Sequence, residues 1–189
     1  VELLEGMDLR DIAVVTGYQA TFVQQALDGC RYTSFYNPFY AITNSIVSAW
    51  CAREFITAGD DLVIMNGYFF AEDVVFRSLL ADSHSPLMLG DSYRIHEADY
   101  RFQWSDADKL VKFGKDLDDN STSGEYVGIG KIGGRDLWEF KQRITDMVNG
   151  QEYNCWWEDA IYRLVHENKD VLVHDVAGMF WAEVDYIED

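Results

Sequence analysis

The chain has 189 residues, 48% of them hydrophobic, which is enough for one compact domain over residues 1–189 with a core of its own. Its 33 acidic residues against 15 basic ones leave a formal charge of -18. Such a chain is repelled by nucleic-acid backbones and anionic lipid surfaces, and an anionic nucleotide binds it only through local basic groups or a divalent metal. No run reaches the ~20 apolar residues of a membrane span, and no signal peptide is visible. Cys30, Cys51 and Cys155 form no CxxC pair and read as reduced core thiols of a cytoplasmic protein.

The opening VELLEGMDLRD reads as the tail of a helix, with an upstream strand expected to be missing. DIAVVTG (11–17) is a β-branched run ending in glycine, the pattern of a buried parallel strand. TFVQQALDG follows, with Phe22, Val23, Ala26 and Leu27 at helical spacing and Gly29 as its stop. YTSFY (32–36) is a second strand, ended by Asn37-Pro38. The spacing then predicts a helix over 45–55 with Ile46, Val47, Trp50, Cys51 and Phe55 on one face, capped by Thr43 or Asn44. DLVIMNGYFF (61–70) has the composition of the most deeply buried strand, and AEDVVFRSLLAD is an amphipathic helix. LMLGDS, YRFQWS, KLVKFGKD and GEYVGIGKIG are successive strands with short polar joints. RDLWEFKQRITDMVNG and CWWEDAIYRLVHEN are helices, and DVLVHDVAG and FWAEVDY close the chain as strands. Alternating β and α in the first half implies parallel βαβ units, and the strand-rich middle implies a mixed sheet.

His84, His96, His166 and His174 show no metal-ligand spacing, and no GxSxG elbow, Walker loop or GxGxxG occurs. His166 falls late in a helix, where positive charge suits the dipole. Gly128, Gly130, Gly133 and Gly134 read as bends in a strand and turn.

Read together, DIAVVTGYQ, YNPFYAITNSIVSAW, DLVIMNGYFF, GKDL, GEYVGIGKI, WWEDAI and FWAEVDYIED resemble, in order and spacing over nearly the whole chain, the cytidylyltransferases that activate phosphocholine and sugar phosphates. The resemblance implies a Rossmann-like α/β nucleotidyltransferase fold with a mixed, mainly parallel central sheet, here N-terminally truncated. It implies attack of a substrate phosphate on the α-phosphorus of CTP, with magnesium and release of pyrophosphate. Two features depart from the family. Nothing matches its glycine-rich loop with an arginine and a lysine, which cradles the triphosphate through backbone N–H groups and cations. Asn66-Gly67-Tyr68 stands where the family carries Asn-Gly-Asp, and a neutral phenol is a poor ligand for a hard cation.

The resemblance makes Asp185 a catalytic residue and magnesium ligand. Glu183, two residues earlier, falls on the same side of a strand as a second carboxylate. By spacing alone both are solvated acids near an acidic C-terminus. Trp156, Glu158 and Asp159 fall beside the acceptor site of the family, where an aromatic face with carboxylates can hold a quaternary ammonium at ~0.5–2 kcal/mol. Trp157 has the alternative of a buried helix face with Ile161 and Leu164. Tyr126 is assigned to the same wall. Lys115 in GKDL matches a lysine near the substrate phosphate, against the default of a surface lysine. Asn44 falls where the family reads the base or positions the acceptor, and it also serves as an N-cap worth ~1 kcal/mol.

The first reading is thus a truncated or degenerate nucleotidyltransferase that keeps an acceptor pocket and transfers nucleotides poorly or not at all. The second is an active magnesium-dependent cytidylyltransferase whose N-terminal segment lies outside this sequence, with Asp73 or Asp91 replacing the lost carboxylate. The third is a non-catalytic binding or assembly protein on the same fold. Without the first family strand, segments 11–17 and 61–70 are expected either to pair directly or to be completed by a second copy in a homodimer.

Overall fold

The computed structural model describes residues 1–184 except Asp8, Arg10 and Ala58. In chain order the elements are α1 (Glu2–Glu5), β1 (Ala13–Thr16), α2 (Ala20–Ala26), β2 (Thr33–Tyr36), α3 (Ser45–Cys51), a 3-10 turn (Arg53–Phe55), β3 (Leu62–Met65), β4 (Phe69–Ala71), α4 (Asp73–Ala81), β5 (Leu87–Asp91), β6 (Arg101–Trp104), β7 (Leu110–Gly114), β8 (Gly124–Ile132), α5 (Leu137–Asn149), α6 (Asp159–His166), β9 (Leu172–Asp175) and β10 (Trp181–Glu183). The chain divides into two compact units, Val1–Ala58 with Leu137–Tyr162, and Gly59–Asp136 with Arg163–Asp189.

The first unit holds a two-stranded parallel sheet, β1 with β2 in the register Ala13–Thr33 to Thr16–Tyr36. Its core comes from α3, which buries Ile46 and Val47, and from α5, which buries Leu137, Phe140, Ile144, Met147 and Val148. The α5 positions recur every three or four residues, so one stripe of the helix faces inward. α2 departs from expectation. Phe22, Val23, Ala26 and Leu27 have the spacing of a buried face, yet α2 buries none of its residues, and Phe22 is 66% exposed. A sheet only two strands wide gives the helix too little surface to cover.

The second unit holds the larger sheet, in the order β7-β6-β8-β5-β9, with β3 also on β8. β8 runs antiparallel to β3, β5 and β6, and β5 is parallel to β9. Thus β3, β5, β6 and β9 share one direction while β8 and β7 run the other way, and the sheet is mixed, with β5 and β9 as its parallel neighbours. β5 is buried along its whole length, as a strand covered on both faces requires. α4 places Val75, Phe76 and Leu79 in the core. Its C-terminus is closed by the buried Lys131, whose Nζ donates to the Leu79 carbonyl at 3.2 Å and to the Asp82 carbonyl. A cation there suits the helix dipole.

Several sequence expectations are corrected. The 61–70 run is not one buried strand: a turn at 66–68 divides it into β3, which is half-buried, and β4, which pairs antiparallel with β10. β3 hydrogen-bonds to β8 alone and β1 to β2 alone among the described residues, so direct pairing of the two segments is not made. The helix expected over 45–55 stops at Cys51 and continues as the 3-10 turn. The helix following Cys155 begins only at Asp159. The three cysteines form no disulfide among the described residues and are half-buried rather than core, and burial pushes the Cys51 thiol up against the pull of Arg53. His166 and Arg163 do lie in the last turn of α6.

Asp82, just past α4, joins two histidines. His84 donates its N–H to Oδ1 at 2.9 Å, and the Nδ1 atoms of His84 and His174 lie 2.7 and 2.9 Å from the carboxylate. Burial raises the Asp82 pKa, but the His84 N–H and the two imidazoles lower it more, from 3.8 to about 2. Because the folded value is depressed, this stabilisation is fully present above pH 3.8 and is lost as pH falls through about 2. Solvent screening at the exposed His84 holds its size to about 1 kcal/mol. Urea denaturation between pH 5 and pH 2 is expected to show this loss in the wild type and a flatter profile in Asp82→Ala.

Candidate active site

In the first unit the segment 153–157 is strapped along the N-terminus of α3. Asn44 N–H donates to the Tyr153 carbonyl at 2.7 Å and Ile46 N–H to the Cys155 carbonyl at 3.2 Å, while Trp157 N–H donates to Ser45 Oγ at 3.0 Å. Asn44 Oδ1 accepts from Ser45 N–H at 2.8 Å, and its amide donates to the Asn154 carbonyl at 3.5 Å. Asn44 is therefore both the N-cap of α3 and an anchor for the strap. Asp159 opens α6, and its Oδ2 accepts from Trp156 N–H at 2.8 Å. This fold-back fixes the backbone of Trp156 while leaving the residue 47% exposed. Trp157 and Glu158 are buried. Of the predicted site residues, Asn44, Trp156, Glu158 and Asp159 are thus gathered in this unit, and Trp157 takes the core role.

In the second unit β8 bends at Gly128, whose φ is +88°. Asn66 N–H donates to the Gly128 carbonyl at 3.2 Å, and Val184 N–H to the Tyr68 carbonyl at 2.9 Å. A methyl group at Gly128 would lie 2.8 Å from Glu183 Oε1 and 3.8 Å from Asn66 Nδ2. Asn66, Gly128 and Glu183 therefore meet at one point, with Tyr68 exposed nearby in sequence. Asp185 lies outside the described residues. Gly128→Ala is expected to cost about 1–2 kcal/mol from the left-handed backbone, plus the displacement of Glu183. Removing that carboxylate in Gly128→Ala/Glu183→Ala should relieve the second part, as a double-mutant cycle of urea melts would show.

Lys115 and Tyr126 have structural partners in this unit. Lys115 Nζ donates to both Asp99 carboxylate oxygens, at 2.7 and 3.0 Å. Tyr126 is buried, stacked on Phe102 with ring centroids 5.0 Å apart, and its N–H donates to the Tyr100 carbonyl at 2.8 Å. Burial pushes the neighbouring Glu125 carboxyl up, against the Asp99 N–H and Arg94. The two substitute carboxylates are also committed. Asp73 pairs with Arg77 at 2.9 Å on the surface of α4. Asp91 is buried and accepts from Tyr93 N–H, Gly178 N–H and Trp181 Nε1.

Among the described residues, no three His, Cys, Asp or Glu side chains gather where they could hold a metal. Magnesium wants near-octahedral oxygen, commonly one or two carboxylates completed by water and substrate phosphate. Glu183 beside the Asn66 amide offers one carboxylate, so these residues alone do not make a magnesium site. Sequence reasoning missed Asn66 and Gly128 as neighbours of Glu183, and Asp91 as a structural hub. The Asn-Gly dipeptide at 66–67 was the available signal for the turn that brings β4 beside β10.

The fold is that of the nucleotidyltransferases. Among solved structures, the CTP:phosphocholine cytidylyltransferase from Streptococcus pneumoniae superposes with a TM-score of 0.71 at 16% identity, over 99% of this chain and 78% of that one. The inositol-1-phosphate CTP transferase from T. maritima gives 0.76 at 12% identity, over 98% and 74%. HddC from Yersinia pseudotuberculosis gives 0.66 at 10%, over 99% and 78%. By sequence, no protein-family model and no curated protein matches the chain. No described helix is long and apolar enough to cross a membrane.

Proposed function

We propose that the chain is a degenerate nucleotidyltransferase-like protein that keeps an acceptor pocket for a small phosphate bearing a cationic headgroup, such as phosphocholine, and has little or no transfer activity of its own. The observation that carries this reading is the strapped loop of the first unit. It holds Trp156 half-exposed on a fixed backbone beside Asp159, with Asn44 at its base. An exposed indole face with an adjoining carboxylate attracts a quaternary ammonium. Two named neighbours use CTP, one with phosphocholine and one with inositol 1-phosphate, which makes CTP the nucleotide to test.

The weakness of transfer follows from charge. Phosphoryl and nucleotidyl transfer depend on fixed dipoles and cations that take up charge at phosphorus. Tyr68 stands where the resembling enzymes carry an aspartate, and a neutral phenol holds no hard cation there. In the active alternative, Glu183 and Asp185 are the carboxylates that would hold magnesium; the degenerate reading needs no cofactor. The protein is further proposed to act in the cytoplasm as a homodimer.

Calorimetry tests this directly. Phosphocholine is expected to bind, and to bind more weakly to Trp156→Ala. CTP with magnesium is expected to give no heat of binding. Failure of phosphocholine and inositol 1-phosphate alike to bind would remove the acceptor pocket and leave an assembly role on the same fold.

A further inference from the structure

The chain contains two Asn-Gly dipeptides, Asn66-Gly67 and Asn149-Gly150, and the fold treats them differently. Asn66 follows β3 and opens a turn that Phe69 N–H closes by donating to the Asn66 carbonyl at 3.3 Å. The second residue of such a turn finds no partner for its N–H within the turn. Gly67 N–H makes no hydrogen bond among the described residues. Gly67 is exposed, and a Cβ built on it would meet nothing within 4 Å. Asn149, by contrast, is the last residue of α5, and Gly150 N–H donates to the Asp146 carbonyl at 2.8 Å, a helical bond to the fourth residue back. A Cβ on Gly150 would lie 3.2 Å from that carbonyl oxygen. One amide nitrogen is therefore open and the other is held.

We propose that Asn66 is a modification site, deamidated through attack by Gly67, and that the helix spares Asn149. The Gly67 nitrogen attacks Asn66 Cγ, and the new N–Cγ bond forms as the Cγ–Nδ2 bond breaks. Nδ2 leaves as ammonia with the proton that Gly67 gives up. The product is a cyclic succinimide, which water opens at either carbonyl. Breaking the new N–Cγ bond leaves aspartate in an ordinary backbone. Breaking the original peptide bond leaves isoaspartate, whose main chain runs through the side chain. Water is the sole co-reactant, and nothing is oxidised or reduced. Glycine favours the attack because, without a Cβ, its nitrogen can be approached closely.

The modification changes what faces Glu183. Asn66 Nδ2 and Glu183 Oε1 both border the space beside Gly128. An amide brings N–H donors to that point, whereas an ionised carboxylate only accepts. Aspartate at position 66 therefore sets like charges together, beside the strand β10 that pairs with β4.

Peptide mapping of the full chain, incubated in mildly alkaline buffer and then digested, tests the proposal. In the folded protein the 66–67 segment is expected to accumulate paired aspartate and isoaspartate products while 149–150 keeps its amide. In urea, where neither dipeptide is structured, both amides are expected to be lost at comparable rates. Gly67→Ala puts a methyl group into open space at a residue outside the left-handed region. It should slow the loss at Asn66 at least about tenfold, equivalent to ~1.4 kcal/mol on the barrier. Asn66→Asp mimics the product and should melt below the wild type, and Asn66→Asp/Glu183→Gln should recover part of that shift. A folded chain that keeps its Asn66 amide while the chain in urea loses it overturns the proposal, and so does loss at Asn149 as fast as at Asn66. An Asn66→Asp variant that melts with the wild type overturns the opposed-charge consequence alone. If Gly67→Ala does not fold, the two dipeptides of the wild type decide.

Discussion

Asp91→Ala is expected to lower stability by about 3–5 kcal/mol, the usual cost of removing one member of a buried charged cluster. Asp91, at the end of β5, is 1% exposed. Its Oδ1 accepts from Tyr93 N–H and Gly178 N–H, each at 3.0 Å, and its Oδ2 accepts from Trp181 Nε1 at 2.9 Å. Arg94 stands 3.7 Å away and stacks over the Trp181 ring at 4.0 Å, while donating to the Trp181 carbonyl at 2.7 Å. Alanine leaves the buried Trp181 Nε1 with no acceptor, at ~1–3 kcal/mol for the unsatisfied group, and takes the part-buried Tyr93 and Gly178 N–H groups from theirs. Asp91→Asn keeps an acceptor and should cost less. The Trp181 near-ultraviolet dichroism is the local readout, because the indole loses its fixed partner. Since Trp181 begins β10, the variant should also disturb the strand that carries Glu183.

Trp157→Ala is the second large effect, at about 3–5 kcal/mol for a buried tryptophan. Trp157 is 2% exposed, and its backbone is tied to Ser45 Oγ. Its neighbour is expected to behave differently. Trp156→Ala should lower stability less than Trp157→Ala, because about half of Trp156 is already in water and the strap is held by backbone bonds and by Asp159. It should reduce phosphocholine affinity by ~0.5–2 kcal/mol, or roughly 2- to 30-fold. Thermal melts and calorimetry on the two variants separate core from pocket. Equal stability losses in both would contradict the assignment of Trp156 to a ligand.

How much of this was legible in advance depended on whether a feature is local. Asn44 before an apolar helix is a cap by chemistry alone, and it caps α3. The stripe of α5 and the β-branched character of β1 carry their own periods. The broken 61–70 run and the exposed α2 were not legible in the same way. Apolar composition records what a segment can bury, not which partner is present to cover it. Phe22 and Val23 have the spacing of a core face, but the narrow β1–β2 sheet leaves them in water. The Asp91 hub joins positions 91, 94, 178 and 181, a convergence only the folded chain creates. Lys115 and Asp99 likewise become neighbours through the β6–β7 pairing.

Pyrophosphate release from CTP, magnesium and phosphocholine, by purified protein spanning residues 1–189, bears most directly on the loss of transfer. Release near the uncatalysed background, in a sample that still binds phosphocholine by calorimetry, is the expected result. Sustained multiple-turnover release from the same sample would show that charge at the phosphorus is neutralised by groups other than a glycine-rich cradle, and would contradict the reading of the chain as degenerate.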